Sequence, residues 1–229
     1  MDRAQMHKEF KLLMDKSGEG GSPSFLASEI DRFLNMAQDR FVTKRAFGNN
    51  SRRTGFEEDQ KRRDDLRTLI SQEQLDTFLA TGTDANKPNG TFFNLPTDYR
   101  HAIQEEAFIG TYDITDSGRR VSVKPITHDR YNKIIDDPFN KPDKDTVYRL
   151  GYGGGSNGNN VELICGENQH VSIYYLRYLK NPPQIGENQI CILPEHTHRE
   201  IIRMAVVDAL ETVEQPRYQS SKIELNEIE

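Results

Sequence analysis

The spacing of apolar residues in this chain changes twice, and that change constrains the fold more than any other property. The segment "SEIDRFLNMAQDRFVTKRAF" carries Ile30, Phe33, Leu34, Ala37 and Phe41 at i, i+3, i+4, i+7 and i+11, one stripe of an α-helix. From about Gln74 the period shortens to two, with strand patterns in "QLDTFLA", "TFFNLP" and "RRVSVKP". Near the end the helical period returns. "LPEHTHREIIRMAVVDALE" sets Ile202, Val206, Ala209 and Val213 at i, i+4, i+7 and i+11, with Pro194 close to the first helical position.

Other segments fill in this outline. Met6, Phe10, Leu13 and Met14 predict a first helix over 4–16, which "SGEGGSPS" ends. Ser28 and Asp31 have capping-box spacing at the start of the next helix. "FEEDQKRRDDLRTLI" predicts a charged helix anchored by Phe56, Leu66, Leu69 and Ile70, and "TDYRHAIQEEAFIG" predicts a short helix opened by Thr97 and Asp98. A further short helix stops before Pro138, because the residue preceding proline avoids helical backbone angles. "TVYRL", "VELIC" and "YYLRYLK" then read as strands separated by glycine and asparagine turns.

The expected class is therefore α+β. N-terminal helices and a C-terminal helix form a helical bundle over 1–72 plus 194–214. An antiparallel, sandwich-like sheet with short helices fills 73–193, and an extended arm occupies 215–229. A parallel sheet is disfavoured because the strands lack the long intervening helices of βαβ units.

Composition limits the function. A net charge of −6 argues against a protein whose main task is gripping nucleic acid. One basic region survives, in which Arg40, Lys44, Arg45, Arg52, Arg53, Lys61, Arg62, Arg63 and Arg67 face Glu57, Glu58, Asp59, Asp64 and Asp65. A solvated helical face is the simpler account of it. Thirty-four per cent hydrophobic residues is lean for a self-sufficient globule of 229 residues, which suggests surface completed by neighbours. Two cysteines, Cys165 and Cys191, make no disulfide framework, and the expected setting is a reducing cytoplasm. No run has the roughly 18 to 20 apolar residues of a membrane span.

Motifs with chemical potential fare poorly. On a helix, His196 and His198 point about 200° apart, so only His196 and Glu200 share a face. A metal-dependent hydrolase would need a third ligand from His101, His128 or His170, and no spacing calls for one. "GYGGGSNGNN", Gly151 to Asn160, lacks a P-loop ending and reads as a hairpin tip. Neither cysteine has a histidine in a recognisable nucleophile setting. "YYLRYLKNPP" mixes aromatics with Arg177 and Lys180, but its alternation suits a packed strand better than a stacking platform for single strands. No catalytic, metal or cofactor residue is expected.

The order of blocks carries a resemblance. "EIDRFLNMAQDRFVTKRAF", "GFEEDQKRRDDLRTLI", "FNLPTDYRHAIQEEA", "DPFNKP", "VYRL", "YYLRYLKNPPQI" and "LPEHTHREIIRMAVVDALETVEQPRYQ" together resemble the head–tail connector proteins of tailed bacteriophages. The nearest likeness is to the adaptor or ring proteins of short-tailed, crAss-like phages. The resemblance implies a non-enzymatic virion protein of the neck, made in the host cytoplasm and stacked as a ring, commonly twelve-fold, below the portal. It implies contact with the portal, with other connector or tail proteins and, transiently, with genomic DNA in the channel, and none with membrane. Carried onto this chain, Ile30, Phe33, Leu34, Phe41, Ile202, Val206 and Ala209 would pack subunits, and Arg52, Arg53, Arg62 and Arg63 would face an interface or the DNA channel.

Overall fold

A computed structural model describes residues 1–15, 25–47, 59–76, 78–81, 90–111, 118–153, 159–167 and 169–213. The expected arm over 215–229, Arg52, Arg53 and most of the glycine-rich tip lie outside these residues. The chain divides into two compact units, Met1–Leu69 with Pro182–Glu229, and Ile70–Asn181.

The first unit is helical. It contains α1 (Arg3–Asp15), α2 (Ala27–Phe47), α3 (Gln60–Leu66) with a 3-10 turn (Arg67–Leu69), and α5 (Glu195–Thr212). α5 packs against both α2 and α1. Met6, Phe10 and Met14 of α1, Ile30, Leu34 and Phe41 of α2, and Ile201, Ile202, Ala205 and Ala209 of α5 are buried. Each large apolar side chain withdrawn from water contributes about 1.5 to 3 kcal/mol, so the stripes legible in the sequence hold this unit together. Phe33 is half-buried in an aromatic cluster, its ring stacked 6.3 Å from Phe10 and edge-on to Phe25 at 5.6 Å. The Asn35 amide clamps the loop before α5, accepting from Ile185 N at 2.7 Å and donating to its carbonyl at 3.0 Å.

Two local expectations change here. α2 begins at Ala27, and Glu29 reaches back to accept from Leu26 N at 2.8 Å. The reciprocal half of a capping box thus comes from Glu29. Asp31 instead binds Arg3 and His7 of α1, at 2.7 Å each. The helix expected through Ile70 stops at Leu69, because from Ile70 the chain pairs with a distant strand.

The second unit is a sheet of eight strands in the order β1-β8-β4-β5-β6-β7-β3-β2. They are β1 (Ile70–Leu75), β2 (Phe78–Thr81), β3 (Gly90–Asn94), β4 (Tyr99–Thr111), β5 (Arg119–Pro125), β6 (Val147–Tyr152), β7 (Asn160–Ile164) and β8 (Gln169–Lys180). "QLDTFLA" is thus split between two strands. The sheet curls until unpaired strands meet, with the rings of Phe93 (β3) and Tyr174 (β8) 5.7 Å apart. Alternate residues fill the interior, among them Ala107, Ile109, Val121, Val123, Val147, Val161, Leu163, Leu176 and Tyr178.

Two corrections concern this unit. The helix expected over "TDYRHAIQEEAFIG" is the long strand β4, paired along its length with β8 and in part with β5. Its local preference yields to burial of Ala107 and Ile109 and to two flanking ladders. The sheet is also mixed, since β5 and β6 run parallel while every other pair is antiparallel. The connection from Ile126 to Thr146, with α4 (His128–Ile135), is long enough for that crossover. Tyr131 of α4 then covers Leu150 and Ile164 on the outer face of β6 and β7.

Candidate assembly surface

The opening turn of α5 shows what became of the histidine-rich motif. His196 Nε2 lies 2.8 Å from Asp65 Oδ1, and Asp65 Oδ2 lies 2.9 Å from Arg45 Nε. Arg45 Nη2 donates to both oxygens of Glu200, at 2.9 and 2.8 Å, and its guanidinium lies 5.0 Å from the Phe41 ring centroid. Sequence spacing correctly put His196 and Glu200 on one face. Their common target is an Arg45–Asp65 pair on α2 and α3. His198 is buried, its Nε2 donating to Leu193 O at 2.8 Å, and burial holds its pKa below the ordinary histidine value. Among the described residues, no three His, Cys, Asp or Glu side chains form a group able to hold a metal ion.

The basic region is similarly engaged. Arg40 Nη1 donates to Asp208 Oδ1 at 2.6 Å, while burial raises the Asp208 pKa against the pull of Arg40. Arg62 is buried, donating to Arg45 O at 3.5 Å and standing 4.0 Å from Asp59. Arg63 is exposed. Of the four arginines expected at an interface or DNA channel, Arg62 thus sits in the interior, Arg63 at the surface, and Arg52 and Arg53 outside the described residues.

The residues expected to pack subunits lie within one chain. Ile30, Leu34, Phe41, Ile202, Val206 and Ala209 are buried there and Phe33 is half-buried, so the large apolar side chains that stay open to a neighbour are mostly others. Candidates are the large apolar residues left exposed: Leu12, Leu26, Met36, Phe47 and Ile190 in the helical unit, and Phe139, 94% exposed, in the sheet unit. Met36 and Phe47 share the outward stripe of α2 with Arg40 and Thr43. Sequence reading missed this set because periodicity identifies the buried face and is silent about isolated apolar residues in polar surroundings. Phe139, in the quoted block "DPFNKP", had no periodic partner.

The sheet interior has its own polar pairing. Arg149 Nε lies 3.2 Å from the Glu105 carboxylate, which also accepts a short hydrogen bond from Tyr174 Oη. Burial raises the pKa of Glu105, and it raises that of Tyr174 strongly. The contact ties β4 to β6, which are separated by β5 in the sheet.

The histidine-rich turn of α5 and the buried arginines of α2 and α3 are thus engaged within the chain, while several large apolar side chains stand outside. The chain belongs to the phage tail ring protein 3/4 family, whose profile matches residues 1–219. It is 28% identical to "Ring protein 3" of Bacteroides phage crAss001, with 82% of this chain and 86% of that protein covered. It is 24% identical to "Ring protein 4/5" of the same phage, with 81% and 75% covered. Family membership makes it a structural ring protein of the phage virion, and no helix among the described residues is long and apolar enough to cross a membrane.

Proposed function

We propose that this chain is a non-enzymatic head–tail connector subunit. Copies close into a ring, taken as twelve-fold, that lies below the portal, continues the DNA channel and offers the tail its attachment surface. The observation that carries this reading is the family match along almost the whole chain, over residues 1–219. Two features support it. His196 and Glu200, which share one face of α5, are both engaged inside the chain, His196 by a hydrogen bond with Asp65 and Glu200 by an ion pair with Arg45. The net charge of −6 suits a wall along which DNA slides, because like charge opposes adhesion to phosphate. Subunits are made in the host cytoplasm and act in the neck of the virion.

The direct test is negative-stain imaging and native mass spectrometry of the full chain with and without the portal. Rings that co-sediment with the portal are expected. Monomers without affinity for the portal at any concentration would remove the connector reading.

A further inference from the structure

Resting on the ring reading above, we infer a specific contact between neighbouring copies: the Phe139 turn of one subunit inserts into a hollow on α1 and α5 of the next. A ring closed by rotation needs two different surface patches that fit each other, because each subunit meets its neighbours head to tail. The structure offers one protruding and one recessed patch of matching chemistry.

The protruding patch is Phe139, at 94% exposure the least covered large apolar side chain among the described residues. The turn that carries it is braced. Asp137 Oδ1 accepts from Phe139 N at 3.0 Å, and Oδ2 accepts from Asn140 Nδ2 at 2.6 Å. Asn140 O in turn accepts from Tyr148 Oη at 2.6 Å. The hydrogen bonds from Asn140, with that from Phe139 N, hold Asp137 below the usual carboxylate range. A ring held out on a braced turn loses little conformational entropy when it docks. In the segment 136–145, "DDPFNKPDKD", Asp145 is paired with Arg119 at 2.9 Å, and Asp136, Asp137 and Asp143 stand against Lys141 and Lys144, with both carboxylates that flank the knob, Asp136 and Asp137, on its N-terminal side.

The recessed patch has an apolar floor and a largely basic rim. It is lined by Leu12, which is 55% exposed, by Gln5, and by Lys8, Lys11, Arg199 and Glu9. The Glu9 carboxylate is already beside Arg199 Nε, at 3.6 Å, and Lys8 and Lys11 are exposed. The long stems of these cations supply apolar wall while their heads stay at the rim. An aromatic ring seated against Leu12 would bring Asp136 and Asp137 towards Lys8 and Lys11. Charge complementarity of this kind fixes register and speeds encounter more than it adds affinity.

The contact is tested with the full-length chain by cross-linking and charge exchange. A mixture of Leu12→Cys and Phe139→Cys chains, treated with a short bis-maleimide, should give a heterodimer that neither variant forms alone. The chain carrying both substitutions should give a ladder of oligomers, because Cys165 and Cys191 are buried and stay out of the reaction. Phe139→Asp should raise the midpoint concentration of assembly at least tenfold with unchanged melting temperature. Asp136→Lys should raise it several-fold, and adding Lys8→Asp and Lys11→Asp to the same chain should restore it. Wild-type-like rings from Phe139→Asp, with no L12C–F139C cross-link, would overturn the contact while leaving the ring reading standing. Cross-linking only within single chains would also overturn it. A wild-type chain that stays monomeric alone and with the portal would remove both.

Discussion

His196 Nε2 lies 2.8 Å from Asp65 Oδ1, across 131 positions of chain. Through Asp65 and Arg45 it is linked to Glu200, one turn further along its own helix. The histidine-rich motif is the exposed end of a hydrogen-bonded polar chain joining α2, α3 and α5.

Arg45 is the centre of that chain, and its loss should be costly. Its side chain is 5% exposed, and Asp65 and Glu200 both depend on it. Removing one member of a buried pair strands the others, so Arg45→Met should lower unfolding free energy by about 3 to 5 kcal/mol. His196→Ala, at a side chain 59% exposed, should cost under about 1 kcal/mol. Urea titrations followed by circular dichroism measure both, and equal losses would contradict this division.

His198 should make the protein sensitive to acid. Burial depresses its pKa in the folded state, whereas the unfolded chain takes up its proton near an ordinary value of about 6.5. A depressed folded pKa means full stability above the unfolded value and loss as pH falls below it. Its Nδ1 is buried with no hydrogen-bond partner, so protonation there goes unrewarded. The melting temperature should fall between pH 7.5 and pH 5 by more in the wild type than in His198→Gln. An equal fall in both would assign the acid sensitivity to other groups.

The two faces of the helices should respond oppositely. Val206→Asp places a charge on the buried stripe of α5 and should abolish cooperative folding or cost several kcal/mol, on the order of 3 or more. Met36→Ser, at a residue 48% exposed on α2, should leave the melting temperature within about a degree or two of wild type and alter only association. Calorimetry with sedimentation velocity separates these outcomes.

Gly90 leaves space for a buried carboxylate. A Cβ at that position would overlap the Glu162 side chain, which is fully buried and accepts from Tyr152 Oη at 2.8 Å. Gly90→Ala should therefore cost about 1 to 3 kcal/mol through overpacking. A neutral or stabilising result in denaturant titration would show that Glu162 moves aside freely.

Periodicity explains which parts were legible. The stripes of α1, α2 and α5 and the alternation in β5 and β8 are local signals, written within a dozen residues, and the structure buries most of the residues they mark, with Leu13, Phe33 and Val213 partly covered. β4 was not legible, because "TDYRHAIQEEAFIG" lacks clean alternation and is held by β8 and β5, partners far away in sequence. The parallel β5–β6 pair was missed for a related reason, since a short helix in a longer connection sufficed for the crossover. The candidate assembly surface stands at the far end of this scale. Phe139 and Leu12 follow from the sequence only as apolar letters, and their exposure depends on everything packed around them.

The sequence by itself determined the α+β class, the family and the faces that form the core, because each is encoded in local spacing or in the order of blocks. Tertiary structure alone decided that His196 and Glu200 serve one polar chain through Asp65 and Arg45, that Arg62 is interior, and which apolar side chains remain outside. Those outcomes depend on partners many residues apart, and no local pattern records which distant charge will arrive within 3 Å of a given side chain.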